Sequence, residues 1–267
     1  MKIIRVKTVD STNRLMKELT GNPMTKTLEE GATLIADEQT AGRGQKGAFW
    51  EAESGKNLTC SMVFYPDFLA LERHFLLSEV VALGVKEALD SVADGLQPFA
   101  IKWPNDIYYE NRKIAGILIE NDLMNRQIIR SIVGVGVNVN QEVFTSDAPN
   151  PVSLKLLLGK SVSLNELLEK MHQKIMQGYR KLKDEDFESI SAAYHAALYR
   201  KTGFYLYKDK QGYFDAQIQS VSDDGFLYLQ TAQGEVRRYA FKEVSPATSN
   251  EKNRELYRTR KPSTFES

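Results

Sequence analysis

"TAGRGQKGAFW", residues 40–50, places Gly42, Gly44 and Gly47 at the spacing G-x-G-x-x-G. Its reading decides between two folds. In a dinucleotide-binding fold a strand enters the glycine turn and a helix opens straight from it, so that the helix N-terminus faces a pyrophosphate. A strand-like run, "ATLIADEQT" (32–40), does precede Gly42. On the far side of the loop, "AFWEAESGKNLTCSM" (48–62) holds two aromatics, another glycine and then a second strand, "KNLTCSMVFYP" (56–66), stopped by Pro66. Strand, loop, strand offers no helix N-terminus, and the dinucleotide reading fails. The Walker A pattern fails too, because Ala48 stands where its lysine is required. The loop still has the parts of an anion cradle: glycines that bring backbone N–H groups close, with Arg43 and Lys46 as cationic donors. Taken alone, it reads equally well as a surface hairpin.

Outward from the loop, "IIRVKTVDSTNRLMKEL" (3–19) reads as a strand, a cap and a helix, with Asp10, Ser11 and Thr12 all able to cap. Residues 69–93 carry apolar residues at helical spacing and predict the first long helix. Three strands then come in succession: "FAIKW" (99–103), "IYYENRKIAGILIEN" (107–121) turning at Glu110 and Asn111, and "RSIVGVGVNVN" (130–140). Strands that adjoin without intervening helices predict an α+β fold, a mixed and mainly antiparallel sheet with helices on one face. A polar segment, 141–150, precedes helices over about 163–182 and 185–199. From residue 200 short alternating strands with turns at "DKQG", "SDDG" and "AQGE" predict a small all-β barrel. The expected organisation is one domain over 1–199, the barrel over 200–246 and a polar, disordered tail over 247–267.

Thirty-five basic residues balance thirty-five acidic ones, so no global field would hold DNA or an anionic membrane. Cys60 is the only cysteine, which excludes an internal disulfide and a multi-cysteine metal site, and its apolar surroundings predict a buried, inert thiol. The N-terminus lacks a signal-peptide core and no apolar run approaches about 18 residues, so a cytoplasmic protein is expected. His74, His172 and His195 are far apart in sequence and read as surface or helix-packing residues.

Two further stretches carry chemistry. In "IKWPNDIYYENRKIAGILIE" (101–120), Pro104 stiffens the end of a strand and fixes Lys102, Asn105 and Asp106 relative to one another. Lys113 opens the next strand, whose alternation places it on the face of Ala115 and Ile117. On these residues alone it is either an anion-binding ammonium or a solvated edge lysine. In "VGVGVNVN" (133–140) the alternation puts four valines on one face and Gly134, Gly136, Asn138 and Asn140 on the other. Such a face makes a flat floor for a ligand, or a close strand crossing.

With "DSTN" (10–13), "ADEQTAGRGQKGAFW" (36–50), "GKNLTCSM" (55–62), "KWPNDIY" (102–108) and "RKIAGILIE" (112–120), this floor completes six motifs in an order that resembles the biotin protein ligases. The resemblance covers about residues 5–246. It implies a class II synthetase-like biotin/lipoate ligase fold. It also implies an ATP-dependent enzyme that makes biotinyl-5′-AMP and passes biotin to a lysine of a biotin carboxyl carrier protein. It implies biotin contacts at Ser11, Thr12, Asn13, Gln39, Arg43, Gly44, Gln45 and Lys113, and ATP or adenylate contacts at Gly42, Arg43, Lys46, Trp50, Asn105 and Asn138. Catalytic roles fall on Arg43, Lys102, Asp106 and Lys113, with Asp106 the candidate contact for Mg²⁺. Many members carry arginines where this chain has Gln45 and Ala48. The chain also opens almost directly at the catalytic motifs, without the DNA-binding module of some relatives, so no DNA partner is expected. A homodimer stays open. Two alternatives remain: a lipoate or octanoate ligase or transferase, which KWPND and the barrel disfavour, and a non-catalytic biotin sensor.

Overall fold

The computed structural model describes residues 2–45, 49–146, 150–248 and Lys252. It contains two compact units, Met1–Tyr199 and Arg200–Ser267. Of the expected tail, 247–267, Ala247 is instead buried with its N–H donating to Leu206 O, and the residues beyond Thr248 lie outside the described residues apart from Lys252.

The first unit is built on a seven-stranded sheet. In chain order its elements are β1 (Ile3–Val9), α1 (Thr12–Thr20), β2 (Thr33–Gln39), β3 (Leu58–Phe64), α2 (Phe75–Val92), β4 (Ala100–Lys102), β5 (Asp106–Tyr109), β6 (Arg112–Met124), β7 (Gln127–Val137), α3 (Leu154–Leu158), α4 (Leu164–Lys183) and α5 (Phe187–Ala196). The strand order is β1-β2-β3-β7-β6-β5-β4. Of these neighbours, only β1 and β2 are parallel. This is the mixed, mainly antiparallel sheet that adjacent strands require. Glu110, at φ 52°, turns the β5–β6 hairpin as the sequence indicates.

The two faces of the sheet bury different side chains. Cys60, Met62, Ile117, Val133 and Val135 share one buried face. The buried helix α2 packs on that side of the sheet, with α4 and α5 behind it. Burial pushes the Cys60 thiol up to about 12, so it is inert as expected. The expectation of helices on one face only needs correcting. α1 lies on the opposite face, where Met16 joins Leu34, Val63 and Ile132 in a separate apolar cluster. The predicted long helix is also shorter than expected. It starts at Phe75, because residues 71–73 form a single 3₁₀ turn. The one-and-a-half turns of α3, capped by the Ser153 hydroxyl, come after the polar segment and were not expected there.

The second unit is a five-stranded antiparallel sheet of β8 (Tyr205–Asp209), β9 (Gly212–Val221), β10 (Leu227–Thr231), β11 (Val236–Tyr239) and β12 (Ser245–Pro246), in the order β11-β10-β9-β8-β12. Leu227, Leu229, Ala216, Val221 and Tyr207 form its interior. No helix among the described residues is long and apolar enough to cross a membrane.

Candidate active site

The site lies on the α1 side of the large sheet, where strand register brings distant motifs into rows. One row runs Thr59, Gly136, Gly116, Asp106, Lys102 across β3, β7, β6, β5 and β4. Its neighbour runs Ser61, Gly134, Leu118. Residues paired across antiparallel strands point to the same face, so the glycine floor, Asp106 and Lys102 share one surface.

The indole of Trp50 lies on this floor. A Cβ on Gly136 would stand 2.4 Å from Trp50 Cε2, and one on Gly116 would stand 3.1 Å from Trp50 Cζ3. Only glycines admit a ring so close to the backbone. The glycine loop brings Trp50 here by closing on itself. Trp50 N–H donates to the Gly42 carbonyl at 3.0 Å, and Arg43 and Phe49 form an antiparallel bridge. The base of the loop is stapled to residues 145–146 by Glu51, whose carboxylate accepts from Thr145 N, Thr145 Oγ1 and Ser146 N. Burial pushes the Glu51 carboxyl upward, and the bonds from Ser146 and Thr145 together outweigh it and hold the carboxyl below its ordinary value. Two of the buried polar atoms without a hydrogen-bond partner lie on the floor: the donor Trp50 Nε1 and the acceptor Asn138 Oδ1. Asn138 is otherwise fixed, its N–H donating to Ile114 O and its Nδ2 to Val152 O.

At one end of the floor Lys113 Nζ pairs with Asp106 Oδ1 at 2.6 Å, and it lies 5.7 Å from the centre of the Trp50 ring. The sequence places Lys113 on the face of Ala115 and Ile117, and the structure reverses this. A bulge pairs Tyr108 with Lys113 but Ile107 with Ala115, so Ile114 and Ala115 are both buried and Lys113 faces Gly116. Lys102 Nζ donates to Tyr108 Oη at 3.0 Å. Burial, with the Asp106 charge adding to it, pushes the Tyr108 phenol up to about 12, so it stays neutral beside that ammonium. Asn105 is buried and donates from Nδ2 to Ile117 O, which ties the turn after Lys102 to β6. Tyr194 Oη, donating to Pro104 O at 2.9 Å, holds the same turn from the α5 side.

At the other end stands the α1 N-terminus. Ser11 occupies the N-cap position, but its hydroxyl makes no capping bond. Gln39 Oε1 accepts from Thr12 N and Thr12 Oγ1 at 2.8 and 3.0 Å. Ser61 Oγ contacts both Thr12 Oγ1 and Asn13 Oδ1. Asn13 Nδ2 donates to Glu120 Oε2 at 2.7 Å, and the same carboxylate holds Arg43 Nη2 at 3.0 Å. Gly134 permits this arrangement, since a Cβ there would stand 2.4 Å from Asn13 Oδ1. Thus Ser11, Thr12, Asn13, Gln39, Gly42, Arg43, Trp50, Lys102, Asn105, Asp106, Lys113 and Asn138 all border one sheet face. Gly44 and Gln45 continue the loop past Arg43 and take no part in these contacts, and Lys46 lies outside the described residues. Ser61, Glu120, Tyr108 and Glu51 were missed. Nothing local marks the roles of Ser61 and Glu120, whose partners come from other elements.

No group of three or more histidine, cysteine, aspartate or glutamate side chains that could hold a metal occurs among the described residues. Asp106 alone fits an ion that brings most of its own oxygen ligands, as magnesium bound to phosphates does.

Residues 6–138 match the model of the Biotin/lipoate A/B protein ligase family, and the chain belongs to that family. More particularly, it is similar to a biotin–[acetyl-CoA-carboxylase] ligase of Paracoccus denitrificans, 29% identical over 211 residues that cover 78% of this chain and 87% of the relative. The bifunctional ligase/repressor BirA of Bacillus subtilis is 28% identical over 238 residues, 87% of this chain and 70% of that one. Among solved structures, the biotin protein ligase of Aquifex aeolicus in complex with biotin and ATP matches with a TM-score of 0.76 at 28% identity, covering 93% of this chain and 99% of that one.

Proposed function

We propose that the protein is an ATP-dependent biotin protein ligase. The observation that carries this reading is the sheet floor itself, where Trp50, Asp106 and Lys113 meet at one end and Arg43 and the α1 N-terminus stand at the other. That strip suits a ligand with a neutral polar head, an anionic middle and a flat heterocycle. Similarity to a ligase solved with both biotin and ATP supports the same reading.

In the first step a biotin carboxylate oxygen attacks the α-phosphorus of ATP. A P–O bond forms, the bond to the β-phosphate oxygen breaks, and biotinyl-AMP and pyrophosphate result. Both reactants are anions, so the barrier falls when fixed donors stand where negative charge gathers. In this reading Arg43 from one end of the strip and Lys113 from the other stabilise the carboxylate and phosphate charges, with Lys102 on the Lys113 end of the floor. Thr12, Asn13, Gln39 and Ser61 supply the hydrogen-bonding end for the ureido head, with Ser11 at the same helix start. Trp50 and Asn138 supply the adenine end. Gly44 and Gln45 are assigned to the carboxylate and phosphate region, and so is Lys46, which lies outside the described residues. Magnesium, when bound with ATP, neutralises phosphate charge, and Asp106 is the side chain to hold it. In the second step the amine of a carrier lysine attacks the acyl carbon and AMP leaves. A free lysine is neutral in only about one molecule in 2,500 at pH 7, and we assign Asp106 to take its proton. The carrier is a biotin carboxyl carrier domain, and the cytoplasm is the compartment this reading assigns.

Biotin-dependent release of pyrophosphate tests the first step. The expected result is release with biotin and none with lipoate or without acid. Release with lipoate alone would move the protein to the lipoate branch, and tight binding of both ligands without release would make it a sensor.

A further inference from the structure

Two of the assigned cations, one at each end of the floor, already have a carboxylate of their own. Lys113 is paired with Asp106, and Arg43 is paired with Glu120 through Nη2, 3.0 and 3.2 Å from the two carboxylate oxygens. The two pairs differ in what they rest on. Glu120 lies at the middle of β6, and its Oε2 also accepts from Asn13, which is buried and held in turn by Ser61. Arg43 belongs to the glycine loop, and its side chain is about half exposed (47%) while that of Glu120 is 35% exposed. One partner is therefore anchored to the sheet and α1, and the other rides on a loop.

Resting on the biotin reading, we infer that Glu120 is a positioning residue that stands in for the substrate carboxylate. It holds Arg43 against the α1 N-terminus, and an incoming carboxylate displaces it. The exchange replaces one carboxylate on the guanidinium by another and moves no proton. Its energetics suit a displaceable contact, because a pair this exposed is worth at most about fivefold in an equilibrium constant. Asn13 remains bound to Glu120 after the exchange, so the carboxylate that releases Arg43 keeps the buried amide in place.

The test compares biotin with its alcohol analogue, in which CH₂OH replaces the carboxylate, by titration calorimetry on the wild-type chain, E120Q and E120D. Gln keeps an oxygen for Asn13 Nδ2 and loses the charge that competes for Arg43. The expected result is biotin binding up to about fivefold tighter in E120Q, with the alcohol analogue unchanged and E120D close to wild type. In an R43A background the E120Q effect on biotin disappears, as a double-mutant cycle requires if the two side chains act on each other. Equal biotin affinity in E120Q and wild type, or a parallel change for acid and alcohol, overturns the proposal while leaving the biotin reading intact. Wild-type protein that binds neither compound overturns the biotin reading, and the exchange with it.

Discussion

Gly136 is the residue whose substitution speaks most directly to the floor. Gly136→Ala puts a methyl group 2.4 Å from the Trp50 ring, and overpacking of this kind costs about 1–3 kcal/mol. Thermal melts should show that loss, and ATP titrations should show weaker binding. Adding Trp50→Ala should restore stability without restoring ATP affinity. Arg43→Ala should leave the melting temperature nearly unchanged, because the side chain is exposed, while biotin-dependent pyrophosphate release falls about 10²-fold or more. An unchanged turnover would remove Arg43 from the chemistry. Lys113→Ala should cost both binding and stability, since it leaves Asp106, only 26% exposed, without its cation. The double substitution with Asp106→Asn should recover the stability and not the biotin affinity. Arg43, Lys113 and Asn138 were legible as candidates through the ordered motifs that carry the resemblance, although the face taken by Lys113 was not. Ser61 and Glu120 were not, because strand register brings Ser61 beside Gly134 and the packing of α1 on the sheet brings Asn13 to Glu120.

At the scale of elements, the hairpin at Glu110 and the alternating glycine and valine faces of β7 could be read from local pattern. The bulge in β6 could not. It depends on how β5 pairs with β6, and it alone decides which face Lys113 occupies. The side of the sheet taken by α1 was hidden for a similar reason, since an amphipathic stripe shows that a helix packs but not against which face. α4 offers a test of packing by pH. Burial pulls the His172 imidazole below its ordinary value, outweighing the contact with the Gly31 carbonyl. The unfolded chain then takes up a proton near pH 6.5 that the folded chain resists. This contribution to stability is complete above about pH 6.5 and is lost as pH falls below it toward the folded value. His172→Gln should flatten the fall in melting temperature between pH 7 and pH 5.5, and an unaltered slope would place the titration elsewhere.

Across the whole molecule, the site is assembled from chain positions 11 to 138 that share one sheet face, and the family match spans nearly the same residues, 6–138. The glycine loop is fastened at its base by Glu51 and at its Arg43 side by Glu120, so it is held between two carboxylates. Glu51→Ala should therefore loosen Trp50 and raise the KM for ATP more than that for biotin, read from steady-state kinetics with each substrate varied in turn. In the proposed function this surface joins biotin to a carrier lysine at the expense of ATP. Intact-mass spectrometry of a biotin carboxyl carrier domain, incubated with the protein, ATP, magnesium and either biotin or lipoate, tests it most directly. The expected result is a carrier that gains one biotinyl group, loses the gain when its target lysine is replaced by arginine, and gains nothing from lipoate. A carrier mass that does not change with biotin, under conditions where the protein binds both biotin and ATP, would contradict the account.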